Sequence, residues 1–240
     1  MRKPLKKNSY MRNPLLIILL FVTGSLQCQI PIKSGWNIGA DVGTAFNRMT
    51  TKDLSLRKGH WGVTAGLTFN YTFKNNFICE SGIRFTDKGS DELKGFDPQF
   101  KHYVASLTLN RLNYIEIPFM VGYRIKLCNA ISLVPKAGAY YAVGLNNSWG
   151  YIENADNSFG GRINPFEDND FTLGDGTKQT FLPYERVDGG FLIGADINFK
   201  QAVCRITYGR SFSPVFNTYD SSNRHQTLSI SLGYYLFKRK

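Results

Sequence analysis

The chain has 240 residues, enough for one domain or two small ones. Aromatic residues make up 14% of it, it contains 23 glycines, and little of it has helical periodicity, which together favour β-structure. Its formal net charge of +11 is high enough to suggest a nucleic-acid partner. No basic and aromatic binding module accompanies that charge, so nucleic acid is not a predicted partner.

The N-terminus has the pattern of a secretory signal peptide, in which basic residues precede the short apolar run Leu15–Val22. This run is too short to span a bilayer, which needs about 20 apolar residues. We therefore expect residues 1–28 to be a signal peptide and residues 29–240 to form the mature domain. Without residues 1–28 the net charge falls to about +6. Lipid attachment at Cys28 is the alternative, but Gln27 before it is a poor fit.

Large apolar residues alternate with small or polar ones along the stretch beginning at His60, where Trp61, Val63 and every second residue to Phe73 are apolar. The same alternation recurs and predicts eight strands. They cover about residues 36–45, 60–73, 77–85, 113–127, 131–143, 190–200, 202–210 and 227–237. Membrane-spanning strands need about 9–11 residues, whereas strands of soluble domains more often have about 5–6.

The connections between these strands alternate in length. Three are tight, at Lys74–Asn76, Cys128–Ala130 and Lys200–Ala202. The other four are long outer loops, at about residues 47–59, 87–111, 144–188 and 211–226. Tight periplasmic turns and long outer loops are typical of outer-membrane barrels. We therefore predict an all-β fold, a closed antiparallel eight-stranded transmembrane β-barrel in the cell outer membrane.

Two prolines, Pro118 and Pro135, fall inside predicted strands. Proline lacks the N–H that a ladder hydrogen bond requires and is usually found at strand edges or bulges. Because a closed barrel has no edge, we expect a bulge at each proline.

The interior volume decides which face of each strand points outward, because an eight-stranded barrel is only wide enough for side chains to fill it. The large apolar set would overfill the interior, so it is predicted to face lipid: Trp61, Leu67, Phe69, Ile117, Phe119, Ile193, Ile230 and Leu232. The opposite face carries a predicted interior charge network: Asp41, Glu80, Arg84, Glu116, Arg124, Lys136, Asp196 and Arg205. Four acids and four bases can pair there, as buried charges require.

The segment Leu112–Leu127, LNYIEIPFMVGYRIKL, resembles the signature strand of the PorT-like outer-membrane barrels of bacteroidete bacteria. The family's Tyr-x-Glu-Ile-Pro core is matched by Tyr114, Glu116, Ile117 and Pro118. The segments Gly82–Ser90, Asp188–Phe199 and Arg205–Phe216 are also similar. The resemblance covers about residues 34–237 and implies an outer-membrane barrel. It implies no particular activity, although the name-giving member belongs to a protein-export apparatus.

No catalytic residue, metal ligand or cofactor site is predicted. Ser211 or Ser213 with His225 and Asp220 supply the residue types of a hydrolase, but no motif fixes their geometry. The acidic loop at residues 145–188 lacks the order of a calcium-binding EF-hand, because Leu173 stands where glycine is required.

We expect a non-enzymatic barrel, surrounded by outer-membrane lipid, that is structural, export-associated or able to bind a protein or glycan partner through its long outer loops. One alternative is a small channel or transporter for small solutes. Another is a soluble periplasmic, lipocalin-like ligand-binding barrel.

Overall fold

The computed structural model describes residues 34–50, 57–97, 102–154, 160–172, 178–181, 184–214 and 224–238. The predicted signal peptide therefore lies outside the described residues. Eight long strands dominate the fold: β1 (Gly35–Thr50), β2 (His60–Thr72), β3 (Phe77–Asp87), β4 (Asn113–Tyr123), β5 (Ile131–Gly144), β6 (Val187–Phe199), β7 (Ala202–Ser211) and β8 (Arg224–Lys238). Within the described ranges, no helix has the length and apolar character needed to cross a membrane.

Each long strand pairs antiparallel with the next along the chain, and β8 pairs with β1. These pairings close the sheet, so the prediction of an eight-stranded antiparallel barrel is confirmed. Within the β1–β8 pairing, the register shifts once, between Ile38 and Gly39.

The tight connections lie at one end of the barrel, which we call the periplasmic end by analogy with other outer-membrane barrels. In the turn after β2, Phe73 N donates to Phe77 O over 2.8 Å. Asn76 and Lys200 adopt positive φ angles of 71° and 53°, as tight turns require at single positions. A short strand, Ile125–Lys126, continues the pairing of β4 with β5.

The long connections at the other end, which we call the outer end, contain further strands. Five of them form a sheet beyond the barrel, which we call the outer sheet: Arg57–Lys58, Ser90–Asp97, His102–Arg111, Trp149–Asn154 and Gly160–Ile163. Asn169–Thr172 and Lys178–Phe181 form a separate two-stranded hairpin. All these segments were predicted to be loops. Most of them are short or lack apolar alternation, but His102–Arg111 has 10 residues and alternates at Tyr103, Ala105, Leu107 and Leu109, so it was missed.

The bulges predicted at Pro118 and Pro135 are not present, so that prediction was wrong. Pro118 lies directly opposite Tyr140, and Pro135 directly opposite Ala195, in ladders whose register does not shift. On its other side, Pro118 faces β3, where the pairs Ser81–Phe119 and Arg84–Glu116 are in register but the positions between them are not paired. The proline therefore interrupts the ladder locally, because it has no N–H to donate, but it adds no extra residue to the strand.

The barrel strands point their large apolar side chains outward and their small or polar side chains inward. On β2, Thr64, Thr68 and Asn70 are buried while Leu67 and Phe69 are exposed. The structure places seven of the eight predicted lipid-facing side chains on the exposed surface: Trp61, Leu67, Phe69, Phe119, Ile193, Ile230 and Leu232. Ile117 on β4 is half-buried.

Candidate functional site: ion clusters inside the barrel

Arg205 on β7 is the centre of one ion cluster inside the barrel. Its Nη1 lies 2.8 Å from Asp41 Oδ2, and its Nη2 lies 3.3 Å from Glu80 Oε2. Its Nε donates to Asp196 Oδ1 over 3.1 Å. A guanidinium offers five donors in a planar fork, which lets one side chain bind carboxylates on three strands.

Lys136 on β5 supplies the second cation of this cluster. Its Nζ donates to Glu80 Oε1 over 2.7 Å and to Asp196 Oδ2 over 2.8 Å. We call Asp41, Glu80, Lys136, Asp196 and Arg205 the inner cluster. All five are at most 7% exposed, and buried charges are tolerated only when paired in this way.

A polar chain lies on the periplasmic side of the inner cluster. Asn37 Nδ2 donates to Asn70 Oδ1 over 2.8 Å, and Asn70 Nδ2 donates to the Tyr235 hydroxyl over 3.2 Å. Arg124 is half-buried at this end, and its Nε atom has no hydrogen-bond partner among the residues that the structure describes. Among the described residues, no ion pair joins Arg124 to the inner cluster.

A second cluster lies nearer the outer end. Lys88 Nζ is 2.9 Å from Asp188 Oδ2 and 3.4 Å from Glu116 Oε2. Arg84 Nη1 is 3.7 Å from Glu116 Oε1, a longer and weaker contact. We call these four residues the outer cluster; their two positive and two negative charges balance.

Asp188 also accepts hydrogen bonds from neutral neighbours, namely the Tyr140 hydroxyl over 3.0 Å and Ser211 Oγ over 2.6 Å. Lys88 Nζ lies 4.3 Å from the centre of the Tyr140 ring, within cation–π range. Burial alone would lower the pKa of Lys88, but Asp188, Tyr140 and Glu116 raise it well above its usual value. Lys88 is therefore held in its charged form.

The residue types of a hydrolase are not arranged as one in the described part of the chain. The Ser211 hydroxyl donates to Asp188, and the ring of His225 meets the ring of Tyr114 edge-on at 6.0 Å. Ser211 and His225 are both buried. Asp220 lies outside the described residues.

A small cavity lies beside the outer cluster, with Thr64, Arg84, Lys88, Glu116 and Thr207 among its lining residues. The volume inside it that water can occupy is about 20 Å³. A buried water needs about 10–15 Å³, so the cavity holds about one. The buried Thr207 hydroxyl, which has no partner within the described structure, is a suitable contact for that water.

Residues from the connection between β5 and β6 cover the outer mouth of the barrel. The ring of Phe166 lies 5.6 Å from that of Tyr114 and against Gly144, where an added Cβ would approach its Cζ to 2.3 Å. Tyr184 N donates to Pro165 O over 2.7 Å and ties two parts of this connection together. Pro165, Phe166 and Tyr184 are all buried. These contacts hold part of this connection against the outer mouth, above the outer cluster.

The predicted charge network is divided between the clusters. Asp41, Glu80, Lys136, Asp196 and Arg205 form the inner cluster, Arg84 and Glu116 belong to the outer one, and Arg124 stands apart. Sequence reasoning missed Lys88 and Asp188. Extending the alternation would have found both, because Lys88 shares the parity of Glu80 and Arg84, and Asp188 that of Asp196.

Comparisons with known proteins agree with this architecture. Residues 26–228 match the family described as outer membrane protein beta-barrel domain. No curated protein sequence matches the chain. Among solved structures, the attachment invasion locus protein Ail of Yersinia pestis is 12% identical, with 85% of this chain and 100% of that chain covered and a TM-score of 0.38.

Two further solved structures are similar at the same level. Neisserial surface protein A is 13% identical, with coverage of 85% and 99% and a TM-score of 0.39. OprG of Pseudomonas aeruginosa is 10% identical, with coverage of 85% and 96% and a TM-score of 0.37. The family match over most of the chain, with the outward apolar surface, excludes a soluble periplasmic ligand-binding barrel. The chain belongs to the outer membrane protein beta-barrel domain family and is located in the outer membrane.

Proposed function

We propose that the protein is a non-enzymatic, closed barrel that holds its outer sheet at the cell surface, where the sheet binds a protein or glycan partner. The observation that carries this proposal is the outer sheet itself. A hairpin can be closed by about 2–5 residues, yet three of the outer connections contribute strands that pair with one another beyond the barrel. Ordered structure of this kind, on a rigid scaffold, is where binding residues are commonly found.

The filled lumen supports a scaffold in preference to a channel. Two ion-paired clusters cross the interior, and the cavity beside the outer cluster has room for about one water. Barrels with open aqueous channels usually have about 16–18 strands. Planar-bilayer recording tests this part of the proposal. Folded protein should give no discrete conductance, and a reproducible single-channel step would overturn the closed scaffold.

A trimmed variant tests the binding role of the outer sheet. Replacing residues 89–111 with Asn-Gly removes its two longest strands, Ser90–Asp97 and His102–Arg111, and supplies a type I′ turn in the register of β3 and β4. It retains Lys88 and Leu112, whose backbone atoms are joined by a 2.7 Å hydrogen bond at the base of the hairpin. The trimmed protein should still shift its gel mobility on heating, as a folded barrel does.

The binding comparison uses the full chain and the trimmed variant in lipid nanodiscs, screened against a glycan array and by photo-cross-linking on intact cells. We expect a specific partner for the full chain and none for the trimmed variant. A third sample, with Asn75→Gly in a periplasmic turn, should bind like the full chain. Equal binding by the full and trimmed proteins would contradict a role for the outer sheet.

Within the family, we propose that the chain is a PorT-like barrel, on the basis of its Tyr-x-Glu-Ile-Pro match. Tyr114 and Glu116 of that match contact the outer cluster: the Tyr114 ring lies 5.1 Å from Lys88 Nζ, and Glu116 pairs with Lys88 and Arg84. This gives the motif a role in holding the barrel together, separate from any role in export. An export-associated function predicts that deleting the gene impairs secretion and that the full chain, but not the trimmed variant, restores it.

A further inference from the structure

Two exposed arginines lie in one row across the outward face of neighbouring strands. Arg48 on β1 and Arg210 on β7 each pair in register with Gln226 on β8. Both arginines are exposed and Gln226 is half-buried. Adjacent strands lie about 4.8 Å apart, so the backbones of the two arginines are separated by about 10 Å, with an amide side chain between them.

An apolar row runs directly beneath this basic row, two residues closer to the periplasmic end on each strand. Phe46 pairs with Leu228, and Leu228 pairs with Tyr208. Leu228 is exposed, and the ring of Phe46 packs on that of Trp61 at 5.1 Å. This row forms part of an aromatic belt of the kind found at membrane interfaces.

The height of the basic row follows from strand geometry. At the periplasmic end of β1, Trp36 packs on Tyr71 at 4.9 Å and marks the opposite belt. Ten residues separate Trp36 from Phe46, which is about 33 Å along a strand and about 25 Å along the membrane normal at a tilt of about 40°. This equals the usual height of the apolar band. Arg48 lies about 5 Å further out, at the level of lipid headgroups.

We propose that Arg48 and Arg210, with Gln226 between them, bind a phosphate group of an outer-leaflet glycolipid whose acyl chains lie over Phe46, Leu228 and Tyr208. Guanidinium groups bind phosphate through two parallel hydrogen bonds, and Gln226 can add an amide donor. The basic row continues directly into the lipid-facing surface, which favours a lipid over a soluble anion. The site rests on the membrane position of the barrel and is independent of the partner proposed for the outer sheet.

The test measures binding of fluorescent diphosphorylated lipid A to the full-length protein in nanodiscs of neutral phospholipid. The variant is R48Q with R210Q, and the matched control is K74Q with K200Q, which removes the same charge from the periplasmic turns. We expect the arginine variant to bind at least about 10-fold more weakly, because it loses the charged hydrogen bonds of both guanidinium groups to the phosphate. The control should bind like the unmodified protein.

A second arm needs no variant and is unaffected by any folding defect. Unmodified protein should prefer diphosphorylated lipid A to the dephosphorylated lipid with the same acyl chains. Inorganic phosphate should compete poorly, and phosphatidylglycerol should bind more weakly than the glycolipid. Equal binding of phosphorylated and dephosphorylated lipid, or efficient displacement by inorganic phosphate, would overturn the proposal.

Discussion

Asp196 and Arg205 lie directly opposite each other on β6 and β7 and are joined by two hydrogen bonds inside the barrel. Arg205 Nε donates to Asp196 Oδ1 over 3.1 Å, and Arg205 Nη2 donates to Asp196 Oδ2 over 3.3 Å. Both side chains are 2% exposed. The same guanidinium also reaches Asp41 on β1 and Glu80 on β3, so this pair anchors a contact between four strands.

Replacing Arg205 with methionine should destabilise the barrel by about 3–5 kcal/mol, because it leaves buried Asp41 without a cation in the inner cluster and leaves Glu80 and Asp196 to share Lys136. Urea unfolding in lipid bilayers, followed by tryptophan fluorescence, measures the loss. The control is Lys74→Met in a periplasmic turn, where the side chain is exposed and the change should stay within about 0.5 kcal/mol. Similar stabilities for the two variants would contradict a structural role for the inner cluster.

Lys88 and Asp188 should show strong energetic coupling. Lys88→Met leaves Asp188 without its cation, and Asp188→Asn keeps acceptors for Tyr140 and Ser211 but removes the charge. The double variant should lose less stability than the sum of the single variants, by about 1–3 kcal/mol. For comparison, Lys88→Met combined with Asp41→Asn in the inner cluster should be additive within about 0.5 kcal/mol. Additive losses of stability in both cycles would contradict the prediction, because they would show no coupling free energy between Lys88 and Asp188.

The contribution of Lys88 should not change between about pH 7 and about pH 9. Its pKa in the folded protein is raised above the value of about 10.4 found in unfolded chains. A raised pKa gives stabilisation that is complete below the unfolded value and is lost only as the pH rises through the folded value. The difference in unfolding free energy between wild type and Lys88→Met should therefore be equal at both pH values. If this difference in unfolding free energy became smaller towards pH 9, the pKa of Lys88 in the folded protein would not be raised, which would contradict the prediction.

Gly138 should not tolerate a larger side chain. A Cβ added there would lie 1.9 Å from Phe119 O and 2.7 Å from Met120 Cα, both backbone atoms of the neighbouring strand. Gly138→Ala should therefore fold poorly or lose more than about 2 kcal/mol. At Gly189 the nearest atom to an added Cβ is 3.5 Å away, an ordinary contact, so Gly189→Ala is the matched control. Equal free energies of unfolding for the two variants, measured by urea titration in lipid bilayers, would contradict the close strand approach at Gly138.

The fold was predictable because lipid and a narrow lumen impose opposite requirements on alternate residues. Leu67 and Thr68, adjacent in sequence, have opposite exposures for this reason. Most strands of the outer sheet were not predictable in the same way, although His102–Arg111 does alternate apolar and polar residues. Ser90–Asp97, SDELKGFD, has too few large apolar residues to mark a buried face, and its pairing with His102–Arg111 depends on the hairpin as a whole.

The candidate site was accessible to sequence reasoning where its residues lie inside the predicted strands, as Glu80 and Arg205 do. Lys88 and Asp188 were assigned to loops because Lys88 lies beyond the end of one predicted strand, at residue 85, and Asp188 before the start of another, at residue 190. Both nevertheless share the parity of the polar residues in those strands. The error at Pro118 has a different cause. A bulge was predicted because proline has no N–H to donate to a ladder hydrogen bond. In the structure, the pairing of β4 with β5 keeps its register along its length and holds Pro118 opposite Tyr140.

The orientation of the two strand faces is tested most directly by magnetisation transfer from lipid acyl chains to the methyl groups of the unmodified protein in nanodiscs. Leu192 and Ile193 are consecutive on β6, but Leu192 is 5% exposed and Ile193 is 55% exposed. We predict strong transfer to Ile193, Ile206, Ile230 and Leu232, and none to Leu192, Val134 or Val203. Transfer to Leu192 and Val203 without transfer to Ile193 and Leu232 would contradict the account.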